Sequence, residues 1–254
     1  MSHFTVGVIV EDPADLESAL WPYCEGNEEA FEKVFYHTKE SFIEEYRRYC
    51  PDKTDEEIWE MGCQDYIMED DQLYCRYNPK ARWDWWVIGG RWRYLLKVNK
   101  AAEHIKDRDT FAGKPRQQRG KSRWVDGAKI KDIKWADMNR PTQKDIEAQA
   151  RFWNVVVEGA EKRDDEDFGF HYSPNYYREL YKTKENYIMK ENTFYTHDLL
   201  NGITDEWHTL GEMGWFGCDA GTFDTLEEYL EKFYDIIRRP EYQDCWFIVV
   251  DCHI

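Results

Sequence analysis

Two β-branched apolar runs, His3 to Val10 (HFTVGVIV) and Cys245 to Ile254 (CWFIVVDCHI), restrict the fold of this chain more than any other feature. Their density of Val and Ile, with turn residues at their borders, reads as two buried strands. Just before the second run, Asp224 to Arg239 places Leu226, Tyr229, Leu230, Phe233, Ile236 and Ile237 on one helical face, with Thr225 near its start and Pro240 just beyond its end. A helix followed by a buried strand is the second half of an α+β unit.

The intervening sequence fills in that picture. Asn27 to Tyr49 has helical charge spacing, and Thr54-Asp55-Glu56-Glu57 forms a capping box for a helix to about Tyr66. Arg91 to Val98 and Ile130 to Trp135 read as strands flanking a basic loop broken by Gly113, Pro115 and Gly120. Thr142 to Gly159 and Pro174 to about Glu191 read as helices, and Phe194 to Leu200 and Glu206 to Leu210 as strands around an Asn201-Gly202 turn. The expected architecture is one α+β domain over residues 1–254, a mainly antiparallel sheet with the two terminal strands central and helices packed on one face. It has a ferredoxin-like flavour, with a helical segment at 27–73, a basic loop at 99–130 and a helical insertion at 140–193.

Charge limits the partners. With 51 acidic against 34 basic residues the formal net charge is −17, which opposes attraction to free duplex DNA. Asn99 to Trp135 runs against the trend, with 11 Lys or Arg against five Asp or Glu. It reads either as a phosphate-contacting loop or as a solvated insertion whose charges pair with acidic helices. Seven Cys without a C-x-x-C pair, no secretory signal and no apolar run of membrane-spanning length imply a reduced, cytoplasmic protein with no membrane partner. The sequence leaves the oligomeric state open.

Recognition chemistry concentrates in Asn78 to Trp92 (NPKARWDWWVIGGRW), which holds four of the 12 Trp residues. Indoles bury large apolar area while their N–H groups seek partners, and a guanidinium after two glycines can lie against an anionic ligand. A base stacked on such a ring gains about 1–3 kcal/mol. The ligand-binding candidates are Trp83, Asp84, Trp85, Gly89, Gly90, Arg91 and Trp92, with Trp215 of the Gly214-Trp215-Phe216-Gly217 segment as an opposite wall. The plain alternative is that the indoles fill the core while Arg91 pairs with Asp84.

His3 and His253 are the catalytic candidates, with Asp251 as orienter: if the terminal strands are neighbours, the two imidazoles approach each other and suit metal-independent phosphodiester hydrolysis. The alternative is ordinary strand-end histidines. A metal set drawn from His3, His208, His253, Asp251, Cys218 and Cys252 has no supporting spacing, so no metal and no cofactor are expected.

Met1-Ser2-His3-Phe4-Thr5, the block from Asn78-Pro79 through Trp83-Asp84-Trp85 to Gly89-Gly90-Arg91-Trp92, the segment Gly211 to Trp215, and the ending Val250 to Ile254 together resemble a family of largely uncharacterised phage and prophage proteins. The resemblance implies a phage accessory protein in the bacterial cytoplasm, and the block between the GGRW and MGW motifs is longer here than the family pattern. Three functions follow as expectations. The first is binding of a small nucleotide-like host molecule, as a counter to bacterial defence; the second is a metal-independent phosphodiesterase acting on a nucleotide signal. The third is an acidic inhibitor that occupies the nucleic-acid groove of a host protein.

Overall fold

The two apolar runs pair with each other along their whole length, antiparallel, in a register that sets His3 opposite His253, Thr5 opposite Asp251 and Val10 opposite Trp246. A computed structural model describes residues 3–106, 124–139, 141–211 and 223–254, with side chains from 225 in the last stretch. The protein is α+β with mainly antiparallel sheets, and its chain forms two compact units, one of residues 1–19 and 85–254 and the other of residues 20–84.

In the larger unit the strands His3–Val10 and Trp246–His253 are central, as expected from their apolar character. Outside His3–Val10 lie Asp198–Asn201, which is parallel to it, and then Glu206–Thr209. The other side of Trp246–His253 is shared end to end by two short strands, Trp85–Ile88 against Val250–His253 and Gly127–Lys129 against Trp246–Ile248. His104–Ile105 completes that edge.

The helix Phe223–Arg238 covers one face because its apolar stripe repeats at helical spacing. Leu226, Tyr229, Phe233, Ile236 and Ile237 pack there on Ile9, Leu199, Phe247 and Val249. These five side chains are almost completely enclosed; burying each contributes roughly 1.5–3 kcal/mol before ordering costs.

The 140–193 stretch is helical as read, but in more pieces. Gln143–Phe152 is opened by a Thr142–Asp145 capping box and runs into a π-helical turn at Trp153–Val157. The helix expected from Pro174 breaks into Pro174–Tyr181 and Lys184–Asn192 at Lys182, whose φ of 62° lies outside the helical region. Trp153, Val156, Val157, Tyr177, Tyr181 and Tyr187 give these helices a core of their own.

Two expected strands are absent. Arg91 to Val98 contributes only Leu96–Lys97 to a strand, and Ile130 to Trp135 becomes a short 3-10 turn followed by the helix Trp135–Met138. Positive φ angles at Gly89, Gly90 and Tyr94 turn the backbone too sharply for an extended run.

The unit 20–84 contains the segment read as helical at 27–73, and that reading is corrected. Glu32–Thr38 is a strand, joined by Gln72–Tyr77 and Ile67–Glu69 in a three-stranded antiparallel sheet. Its Val34 and Tyr36 are less exposed than Lys33 and Phe35, the alternation of a sheet with one wet face. Helices Lys39–Tyr46 and Asp55–Asp65 follow, the second held by the Thr54–Glu57 capping box, and Phe42, Ile58 and Trp59 pack with Leu73.

Candidate functional site

The Gly89-Gly90-Arg91-Trp92 turn is built around two carboxylates. Asp126 and Asp251 are both fully buried. A Cβ on Gly89, at φ +69°, would stand 2.8 Å from the Asp126 carboxyl, and one on Gly90, at φ +47°, would stand 2.3 Å from Asp251 Oδ2. Only glycine supplies both that backbone conformation and that clearance. The glycines therefore make room for these carboxylates within the fold, whereas the sequence reading connected them with a ligand.

Asp251 holds the turn and a histidine together. The Arg91 backbone N–H donates to its Oδ2 at 2.8 Å, and His3 Nδ1 lies 2.8 Å from its Oδ1. An ionised carboxylate only accepts, so the His3 Nδ1–H is the donor and Nε2 is the basic nitrogen. Asp126 acts in parallel, accepting from the Tyr94 backbone N–H.

The three catalytic candidates are thus brought together, and it is His3, across the strand pair, that Asp251 orients. The imidazoles of His3 and His253 meet edge to face with centroids 4.9 Å apart. Trp85 stacks on His253 at 5.7 Å and meets His3 edge-on at 5.6 Å. The rings are in mutual contact, so this arrangement leaves no space for a phosphodiester between the two histidines. Cys252, on the opposite face of the same strand, is fully enclosed, and burial pushes its thiol well above the ordinary value, with Asp198 and Asp251 adding to the effect.

Arg91 leads from this closed cluster to an open one. Its backbone is fixed by Asp251, and its side chain lines a cavity of about 530 Å³ together with Trp92, Arg93, Tyr94, Trp124 and Phe194. No carboxylate among the described residues of its own unit pairs with the Arg91 guanidinium. Arg93 Nε donates to the Gly90 carbonyl at 3.1 Å. The 140–193 insertion contributes Asp145, Gln149, Glu191 and Asn192 to the lining.

Trp83 is buried in the 20–84 unit, where its carbonyl accepts from the Glu25 N–H at 2.8 Å and its indole N–H has no partner among the described residues. The nearest strand begins only at Trp85. Asp84 is exposed. Trp215, Cys218 and most of the basic loop, residues 107–123, lie outside the described residues. His208 sits opposite Leu199 in the edge strand Glu206–Thr209, its Nε2 without a partner among the described residues and its pKa lowered by burial and by Lys232. Among the described residues no three His, Cys, Asp or Glu side chains gather as metal ligands, and no helix is long and apolar enough to cross a membrane.

Sequence reasoning missed Arg93, Tyr94, Trp124 and Glu191. The Arg93-Tyr94 pair directly continues the GGRW motif, which was the available signal; Trp124 and Glu191 join it only through the tertiary fold. No protein-family model, curated protein or solved structure matches the chain.

Proposed function

We propose that the cavity beside the Gly89-Gly90-Arg91-Trp92 turn binds a small, anionic, aromatic molecule of nucleotide-like chemistry. The observation that carries this reading is the convergence of Arg91 and Arg93 with the rings of Trp92, Tyr94 and Trp124 on one space of about 530 Å³. That volume suits a small ligand, and the lining supplies both classes of contact a nucleotide needs: donors for phosphate and flat apolar surface for a base. The resemblance to phage proteins supports a setting in which such binding sequesters a host signal in the bacterial cytoplasm.

Calorimetric titration of the full chain with mononucleotides and cyclic dinucleotides tests the reading. Binding is expected, and Arg91→Ala should weaken it roughly 10- to 100-fold, the loss of one charge-assisted bond, without lowering the thermal midpoint. Absence of heat with every nucleotide, in protein shown to be folded, would overturn it.

A second reading, hydrolysis of the bound ligand, is favoured by the 2.8 Å contact that leaves His3 Nε2 as a base. It requires His253 and Trp85 to separate from His3 when substrate enters. Recovery of intact nucleotide after prolonged incubation at saturating protein would remove this reading and leave the first in place.

A further inference from the structure

One carboxylate of the cavity is left unaccounted for by phosphate binding. Asp145 is occupied by its capping box, accepting from the Thr142 N–H at 3.0 Å and from Thr142 Oγ1 at 2.7 Å. Glu191, by contrast, makes no hydrogen bond or ion pair with any described residue. It is exposed and lines the cavity, and its pKa is raised above the ordinary value, by desolvation first, with Lys190 partly opposing the shift. It also stands in the last turn of the helix Lys184–Asn192, the end where the helix dipole disfavours negative charge. The Gln149 and Asn192 amides hydrogen-bond each other, and neither bonds Glu191. A carboxylate at such a position, with no donor from the fold, has both oxygens open to donors of a ligand that enters the cavity.

We infer that Glu191 reads the base of the bound nucleotide and selects a guanine-type edge, the phosphate resting on Arg91 and Arg93 of the same cavity. The inference rests on the nucleotide reading of the cavity. An ionised carboxylate offers two parallel acceptors and no donor, which matches the adjacent N1–H and N2–H donors of guanine. Hypoxanthine keeps N1–H and lacks the exocyclic amine. Adenine turns a ring-nitrogen lone pair toward the carboxylate, leaving both groups unpaired and repelling. A site built on such hydrogen bonds rejects the analogue lacking them far more strongly than an apolar pocket rejects a missing methylene.

Calorimetry at neutral pH with GMP, IMP and AMP on the full chain and on Glu191→Gln and Arg91→Ala tests the assignment. GMP should bind at least about 30-fold more tightly than AMP, with IMP between. Glu191→Gln, which replaces one acceptor by a donor, should reduce the GMP-to-AMP ratio to within about threefold, while Arg91→Ala should weaken all three alike. An unchanged ratio in a folded Glu191→Gln protein, or AMP binding as tightly as GMP to the unaltered protein, would overturn the role of Glu191 and leave the cavity reading standing. Failure of all three nucleotides to bind would overturn both. Binding of free arginine in place of GMP would assign Glu191 to a guanidinium ligand and so also overturn the guanine reading.

Discussion

Asp251 and Glu191 are carboxylates of the same compact unit under opposite terms. Asp251 is wholly enclosed, and both its oxygens are engaged, by His3 and by the Arg91 backbone. Glu191 faces open space and has no partner among the described residues. Arg91 touches both situations, its N–H serving the first and its side chain lining the second. The difference teaches where this fold spends charge on its own architecture and where it holds charge in reserve. A buried carboxylate with all its donors in place fixes a turn, whereas an unpartnered one in a cavity is an opening for chemistry from outside.

The sharpest way to break the comparison is to remove the closed carboxylate. Asp251→Ala strands the Arg91 N–H and the His3 Nδ1–H inside the protein and should cost about 3–5 kcal/mol, read as a lowered midpoint in urea unfolding. A loss below about 1 kcal/mol would mean that the cluster does not hold the turn. Gly90→Ala attacks the same contact from the backbone side, and with both a clash and a positive φ it should cost roughly 2 kcal/mol or more.

A smaller effect comes from a third carboxylate that lies between the two extremes. Glu166 takes a two-pronged ion pair from Arg151, Nε to Oε1 at 2.6 Å and Nη2 to Oε2 at 2.8 Å, and a hydrogen bond from the Arg163 N–H. These donors hold its pKa down to about 2 from the ordinary 4.5. Its folded form therefore binds a proton less readily than its unfolded form. The stabilisation is fully present above about pH 4.5 and is lost as pH falls toward 2. Glu166→Gln should flatten acid unfolding across that window; an unchanged profile would remove the pair from the stability of the insertion.

The smallest effect has the opposite sign. Glu191 has its pKa raised, so the folded state keeps the proton longer, and stability declines as pH rises through the interval that begins at 4.5. Glu191→Gln should remove that decline and stabilise the protein at neutral pH, by less than about 1 kcal/mol because the group remains open to water. Destabilisation at neutral pH would place Glu191 with Asp251, as a carboxylate that the fold itself needs.

Much of the fold was legible in local patterning. The β-branched runs at His3–Val10 and Trp246–His253 gave two central strands, and the apolar stripe of Phe223–Arg238 and the Thr54–Glu57 box gave helices, because each signal is a property of one segment. Glu32–Thr38 was misread because Glu and Lys favour helix there, and its true alternation emerges only against Gln72–Tyr77. The strand read at Arg91–Val98 failed for another reason: its conformation is dictated by Asp126 and Asp251, distant in sequence. The His3–His253 meeting followed from strand pairing, but the identity of the histidine that Asp251 orients depended on register. The cavity was legible only at Arg91 and Trp92, since its walls come from residues around 91–95, 124, 138–149 and 191–194 that share no spacing.

The register that sets His3 opposite His253 also governs how the molecule is reached from the unfolded chain. Joining those two strands closes a loop containing nearly every other residue, an entropic barrier that must be crossed before the contacts stabilise anything. The sheet of the 20–84 unit joins segments much nearer in sequence and needs no such closure. Refolding should accordingly proceed in two kinetic phases, the smaller unit acquiring structure early and the central strand pair, with the Asp251 cluster on it, arriving late.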